Sequence, residues 1–255
     1  MIDIPISLLA EWAQRLAWAL GRIAGFMLVA PAFAGMTVPL RVKIGLGLAL
    51  ALLLAPLIEP SRADAFDPAG AAMLARELMI GGGIGLTLRM VIEAIAFGGQ
   101  LIGLSMGLGF GEVVDPVSGA RTPQIGQFYG LLATLLFLAM DGHLALIDVL
   151  ATSFVSAPVG HDGMDAHSWR ALVDYGGVLF TGGLRIALPA VTAILVVNLG
   201  FGVMSRAAPA MNLFAVGFPA ALAVGFLVIW MSLGTVLPVF SALFADAMQQ
   251  LGGWL

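Results

Sequence analysis

Gly99-Gln-Leu-Ile-Gly103-Leu-Ser-Met-Gly107-Leu-Gly-Phe110-Gly111 runs directly into Glu112-Val-Val-Asp115-Pro116-Val-Ser-Gly119-Ala-Arg-Thr-Pro123, and this stretch decides the fold. Gly99, Gly103, Gly107 and Gly111 recur every fourth residue, and positions four apart share one face of a helix. The spacing predicts helix packing through a face without side chains, where another backbone can approach closely. From Phe110 to Pro123 the character changes: the segment is polar, glycine-bearing and pinned by Asp115-Pro116 and Pro123. Strongly apolar sequence flanks it on both sides. Irregular backbone beside hydrocarbon is tolerated only where protein buries it or water reaches it. The stretch therefore predicts a membrane-embedded helix that ends in a loop hung in or beside a passage.

Composition extends this to the whole chain. The 255 residues are 60% hydrophobic and only 10% charged, with a mean hydropathy of +1.04. A soluble globular domain carries roughly 25% charged residues. At about 20 residues per spanning helix, the length accommodates roughly six spans. A net charge of −4 leaves no basic surface for nucleic acid. Without cysteine there is no disulfide, thiolate metal site or cysteine nucleophile. The opening Met1-Ile-Asp3-Ile-Pro5 lacks the cationic start of a cleaved signal, so the first apolar run is expected to be retained as a span.

These features predict an all-α membrane protein with about six long apolar helices, some broken, in a single polytopic domain over 1–255. The expected runs are about 8–30, 44–58, 73–97 continuing into the glycine ladder, 128–150, 175–204 with Pro189 inside it, and 213–237. Polar loops are expected at about 59–73 and 155–174, and a further loop at about 110–123. Between the last two runs, Pro209 is placed to stop one helix, Asn212 to cap the next, and Arg206 to bind the final carbonyls of the first.

Charges inside the apolar runs add detail. Glu77, Gly81, Gly85, Arg89 and Glu93 lie on one row at four-residue spacing. A charge at a bilayer centre costs about 2.5–3.5 kcal/mol, so Glu77, Arg89 and Glu93 are expected to be buried charges facing protein or water. Arg89 and Glu93 are spaced to pair with each other. Arg15 and Arg22 in the first run and Arg185 in the fifth repeat the pattern.

Nothing in the chain demands catalysis. Gly103-Leu-Ser105-Met-Gly107 matches the spacing of a nucleophile elbow, with Asp141 and His143 as conceivable triad partners, but an elbow needs a strand before its helix. Here it falls inside an apolar helix of a chain with 33 glycines. His161 and His167, six apart in a polar loop, lack the spacing of a metal site. No catalytic residue, cofactor or metal is expected.

Three segments together resemble the flagellar type III export-gate family FliR and its virulence-secretion counterparts. They are Gly103-Leu-Ser-Met-Gly-Leu-Gly-Phe110 with Val114-Asp115-Pro116; Leu136-Phe137-Leu-Ala-Met-Asp141-Gly142-His143-Leu144; and Ser205-Arg206-Ala-Ala-Pro209-Ala-Met-Asn212-Leu-Phe214 with Gly217-Phe218-Pro219. Arg22-Ile-Ala-Gly25-Phe and Val38-Pro39-Leu-Arg41 also fit. The resemblance implies helical hairpins packed within a hetero-oligomeric gate in the bacterial inner membrane, at the flagellar basal body. The implied partners are FliP- and FliQ-like gate subunits, FlhB- and FlhA-like export components, unfolded export substrates and membrane lipid, with no nucleic acid. It implies a non-enzymatic role in the channel and a plug formed by the loop containing Phe110, Glu112, Asp115, Pro116, Gly119 and Pro123. Family members often carry Gln at the positions of Ser105 and Ala210 and Asn at that of Asp141, so no family role is carried over there. The Gly217-Phe218-Pro219 segment resembles flagellar rather than virulence members. A small-solute secondary transporter is the alternative in another class, but inverted repeats, its usual mark, are not visible.

Overall fold

The computed structural model describes residues 6–31, 39–58, 68–108, 124–160, 165–207 and 213–254, and among these every element is helical. In chain order they are α1 (Ile6–Val29), α2 (Leu40–Leu54) with a 3₁₀ turn (Ala55–Leu57), α3 (Pro68–Ser105), α4 (Gln124–Ala139), α5 (Gly142–Ser156), α6 (Ala166–Tyr175), α7 (Val178–Ala207) and α8 (Leu213–Trp254).

Proline sets several of the boundaries. α1 closes with the Ala30 N–H donating to the Phe26 carbonyl at 2.8 Å, and Pro31 has no N–H with which to continue. Pro39, at φ −57°, immediately precedes α2, and α3 begins on Pro68, where the missing donor costs nothing. Pro189 lies inside α7, and Pro219 and Pro238 inside α8. α6 has a side-chain cap: the Asp165 carboxylate accepts from the Ser168 N–H at 2.7 Å.

Four helical stretches are long and apolar enough to cross a membrane: Leu40–Leu57, Gly70–Ser105, Ala166–Arg206 and Val216–Trp254. α4 and α5 could together supply a fifth, broken span. Against about six expected, four or five stretches among the described residues are long and apolar enough. α1 is not in the set, although it has 24 residues. Gln14, Arg15 and Arg22 dilute its hydropathy. The run expected at about 128–150 is two helices, interrupted at Met140-Asp141, where Asp141 sits in the left-handed region at φ 55°. α8 runs well past its expected end at about 237. α3 has 38 residues and α8 has 42, about 57 and 63 Å at 1.5 Å per residue, against a hydrocarbon core of about 30 Å.

The chain forms two compact units. One comprises Met1–Arg89, Phe137–Gly176 and Asp246–Leu255; its buried residues include Trp18, Phe26, Ile80, Ile84, Leu146 and Leu150. The other comprises Met90–Leu136 and Gly177–Ala245 and buries Ile95, Ile102, Tyr129, Ala190 and Phe240.

Candidate functional site

In the first unit α1 and α3 meet glycine to backbone. A Cβ on Gly25 would overlap the Leu78 carbonyl oxygen, and one on Gly81 would overlap the Arg22 carbonyl and lie 2.9 Å from the Phe26 nitrogen. At Gly85 it would stand 2.9 Å from both the Phe26 oxygen and the Ala30 nitrogen. Gly21 and Gly25 on α1, and Gly81 and Gly85 on α3, put small residues four apart on both helices, which lets two backbones touch.

That approach seats Arg22, which is 0% exposed. Its Nε donates to Glu77 Oε2 at 2.6 Å. Nη1 donates to the Ser153 carbonyl at 2.5 Å and to Ser153 Oγ at 3.0 Å, and Nη2 donates to the Ala157 carbonyl at 2.8 Å. The guanidinium carbon lies 4.2 Å from the centroid of the Phe154 ring, a cation–π distance. A buried arginine is tolerated when its charge is balanced and its fork of donors is satisfied; Glu77 supplies the first condition and the end of α5 most of the second. Arg15 is engaged nearer the start of α1, 2.5 Å from Glu11.

The second unit uses the same device with different neighbours. A Cβ on Gly98 would lie 2.8 Å from the Gly183 oxygen, and one on Gly99 2.8 Å from the Ile125 oxygen and the Tyr129 ring. Adjacent glycines on α3 thus admit two different helices, α7 and α4. A Cβ on Gly182 would lie 3.0 Å from the Ala94 Cβ and 2.9 Å from the Leu243 side chain. On α8, a Cβ at Gly225 would lie 2.5 Å from Met106, so Met106 fills the space that the glycine leaves.

The glycine ladder is not one continuous helix face. Gly103 is buried within α3, but α3 ends at Ser105 and Gly107 stands beyond it at φ 82°. The Leu108 N–H donates to the Gly103 carbonyl at 3.1 Å and the Gly107 N–H to the Leu104 carbonyl at 3.0 Å, the paired bonds of a Schellman cap. Gly107 therefore terminates the helix, correcting its expected role as a packing residue. Gly111 and the loop residues Phe110, Glu112, Asp115, Pro116, Gly119 and Pro123 lie outside the described residues.

Other expected sites resolve individually. Glu77 is 2% exposed, but Arg89 and Glu93, expected among the buried charges, are exposed on α3, because their positions fall outside the buried arc of that helix. Arg185 is likewise exposed on α7. Arg206 occupies the last turn of α7, where a cation complements the helix dipole. α8 starts at Leu213, and Pro209 and Asn212 lie outside the described residues. The Ser105 hydroxyl donates to the Leu101 carbonyl at 2.8 Å, and no strand precedes it among the described residues, so the elbow spacing there is coincidental. The residue that sequence reasoning underused is Arg22. It was visible as a cation in an apolar run, and a buried Glu77 required a cation, but nothing local joined residues 55 apart.

Apolar helices of spanning length, glycine-mediated backbone contacts and a buried, fully countered arginine define an all-helical protein built for a membrane. The chain belongs to the bacterial export proteins, family 1, whose family model matches residues 13–247. Similar proteins include the flagellar biosynthetic protein FliR of Pectobacterium carotovorum subsp. carotovorum, 37% identical over 95% of this chain and 93% of that protein. FliR of Escherichia coli (strain K12) is 31% identical over 98% of this chain and 96% of its own length. FliR of Bacillus subtilis (strain 168) is 27% identical, with 89% of each chain covered. The kinship spans essentially the whole molecule and sets the chain among the membrane-embedded components of flagellar export.

Proposed function

We propose that this chain is a non-enzymatic structural subunit of the flagellar type III export gate in the bacterial inner membrane. It assembles with FliP- and FliQ-like subunits beside FlhB- and FlhA-like components, and it forms part of the channel for unfolded export substrates. The observation that carries this reading is the full-length kinship with flagellar export proteins. The exposed charges support it. Arg89 and Glu93 lie within the apolar stretch Gly70–Ser105, and Arg185 within Ala166–Arg206. Charged side chains at such positions are costly against lipid and acceptable against neighbouring subunits or a wet channel.

The loop from Phe110 to Pro123 acts as the plug. The Schellman cap at Gly107 supports this, because it stops α3 cleanly just before the polar segment. Within that segment, Glu112 and Asp115 suit water better than hydrocarbon, and Asp115-Pro116 and Pro123 limit where the chain can bend. The test is to co-express a chain lacking residues 112–120 with its partner subunits and measure complex recovery beside permeability to small solutes. A plug predicts intact assembly and a leaky membrane. Intact assembly with a tight membrane refutes the plug, and lost assembly without a leak makes the loop a clasp between α3 and α4.

A further inference from the structure

We propose that Arg22 is a positioning residue for export: delivered from α1, its guanidinium caps the C-terminal end of α5 and fixes the register of α1, α3 and α5. The final carbonyls of a helix have no partners within it. At the end of α5, the Ser153 carbonyl accepts from the Ala157 N–H at 3.0 Å and also from Arg22 Nη1. The Ala157 carbonyl, one residue beyond Ser156, accepts from Nη2. A positive charge is also favourable there because it meets the negative end of the helix dipole. The cap is thus supplied by another helix some 130 residues earlier in the chain, as the separations of 131 and 135 residues record.

Each element holds the arginine from a different side. Glu77 on α3 takes Nε, Ser153 and Ala157 at the end of α5 take both terminal nitrogens, and Phe154 presents its ring to the guanidinium. The Ser153 hydroxyl is itself oriented, donating to the Leu150 carbonyl at 2.7 Å while accepting from Nη1. Close approach through Gly25 and Gly81 places the backbone of α1 where the side chain can reach all of these. The requirement is for a planar fork of donors. A lysine ammonium at the end of a flexible stem carries the same charge but cannot meet acceptors on both α3 and α5 in this geometry. α1 is accordingly held by protein, consistent with its absence from the helices apolar enough to span on their own. The inference rests on the chain's role in export but not on the plug.

The test uses the full-length chain, co-expressed with its gate partners in a strain lacking its own copy. It reads swimming motility, accumulation in the membrane, and hydrogen exchange of residues 153–157 in the purified complex. Arg22→Lys should accumulate, lose motility and exchange at least about tenfold faster at 153–157, the effect of losing roughly one to two hydrogen bonds of a cap. A variant carrying both Arg22→Met and Glu77→Met removes the buried charges together, which restores electrostatic balance. It should still show fast exchange at 153–157 and poor motility, because the Ala157 carbonyl has lost its arginine donor and the Ser153 carbonyl keeps only the Ala157 N–H. Glu77→Gln keeps an acceptor for Nε and leaves the α5 cap in place, so its exchange there should match the parent. Parental protection and motility in the double Met variant would overturn the proposal, reducing Arg22 to one half of a neutral pair. Rescue by Arg22→Lys would overturn it in favour of charge alone. If the Arg22 variants do not accumulate, Glu77→Gln decides: fast exchange at 153–157 refutes the cap, and parental exchange supports it. Permeability is not used, so failure here is distinct from failure of the plug.

Discussion

Adjacent glycines on α3 should respond oppositely to alanine. A Cβ on Gly81 would overlap the Arg22 carbonyl and crowd the Phe26 nitrogen, and backbone atoms cannot rotate away as a side-chain end can. α1 and α3 would have to separate by about 1 Å or more, a gap that forfeits a quarter to a half of each dispersion contact across it. Overpacking of this kind costs about 1–3 kcal/mol. The residue whose carbonyl is struck is Arg22, so the same movement pulls its guanidinium from acceptors now at 2.5–2.8 Å; one buried polar group left unsatisfied adds about 1–3 kcal/mol. Replacing a mid-helix glycine by alanine returns roughly 0.5–1 kcal/mol. The net cost for Gly81→Ala is then roughly 1–5 kcal/mol. At Gly82 the nearest foreign atom is the Gly25 oxygen at 3.8 Å, an ordinary contact, and only the helix-propensity gain remains. With a midpoint shift of about 2–4 °C per kcal/mol for a chain of this size, Gly81→Ala should melt about 2–20 °C below the parent and Gly82→Ala slightly above it. The assay is thermal unfolding of the detergent-solubilised protein, read as the fraction remaining soluble. Gly81→Ala melting at or above Gly82→Ala would refute the backbone contact between α1 and α3.

Two further outcomes follow from the left-handed positions. Gly107→Ala forces a side chain into φ 82° and should cost about 1–2 kcal/mol, with Gly107→Asn milder because asparagine tolerates that region; the midpoints of the two variants check this, and equal stability of Gly107→Ala and parent would deny the Schellman cap. Asp141, at φ 55°, should accept asparagine with little change but lose about 1–2 kcal/mol on Asp141→Val, since a β-branched residue fits that conformation poorly; thermal unfolding reads both substitutions, and a neutral Asp141→Val would mean that α4 and α5 join as one helix.

Much of the fold was readable because the relevant signals are local. Apolar runs gave α2, α3, α7 and the first part of α8 in position, and Pro31 and Pro39 marked real boundaries. Where the expectation failed, the missing information was not local. The segment Ala-Met-Asp141-Gly142 looks compatible with a continuing helix, and its break accompanies tight packing at Gly142, where a Cβ would meet the Phe137 ring and its carbonyl oxygen. Arg89 and Glu93 share a row with Glu77, but a stripe at four-residue spacing drifts around the helix, and only its first part meets α1. Gly107 keeps the four-residue spacing of the ladder, and spacing alone does not tell a helical glycine from one that caps the helix.

Composition alone pointed to the solvent and the class: 60% hydrophobic and 10% charged residues argue against helices kept in water, and motifs in order along the chain pointed to an export family. The sequence also raised the expectation of close helix contacts through glycine. The tertiary structure alone decided which backbone each glycine meets, where the ladder ends, and that Arg22 is the partner of Glu77 and the cap of α5. The physical reason is range. Hydropathy and helical periodicity are sums over neighbours in sequence, whereas the fate of a buried charge depends on acceptors brought within hydrogen-bond distance from residues 55 and 131 positions away, and only the packing of whole helices brings them there.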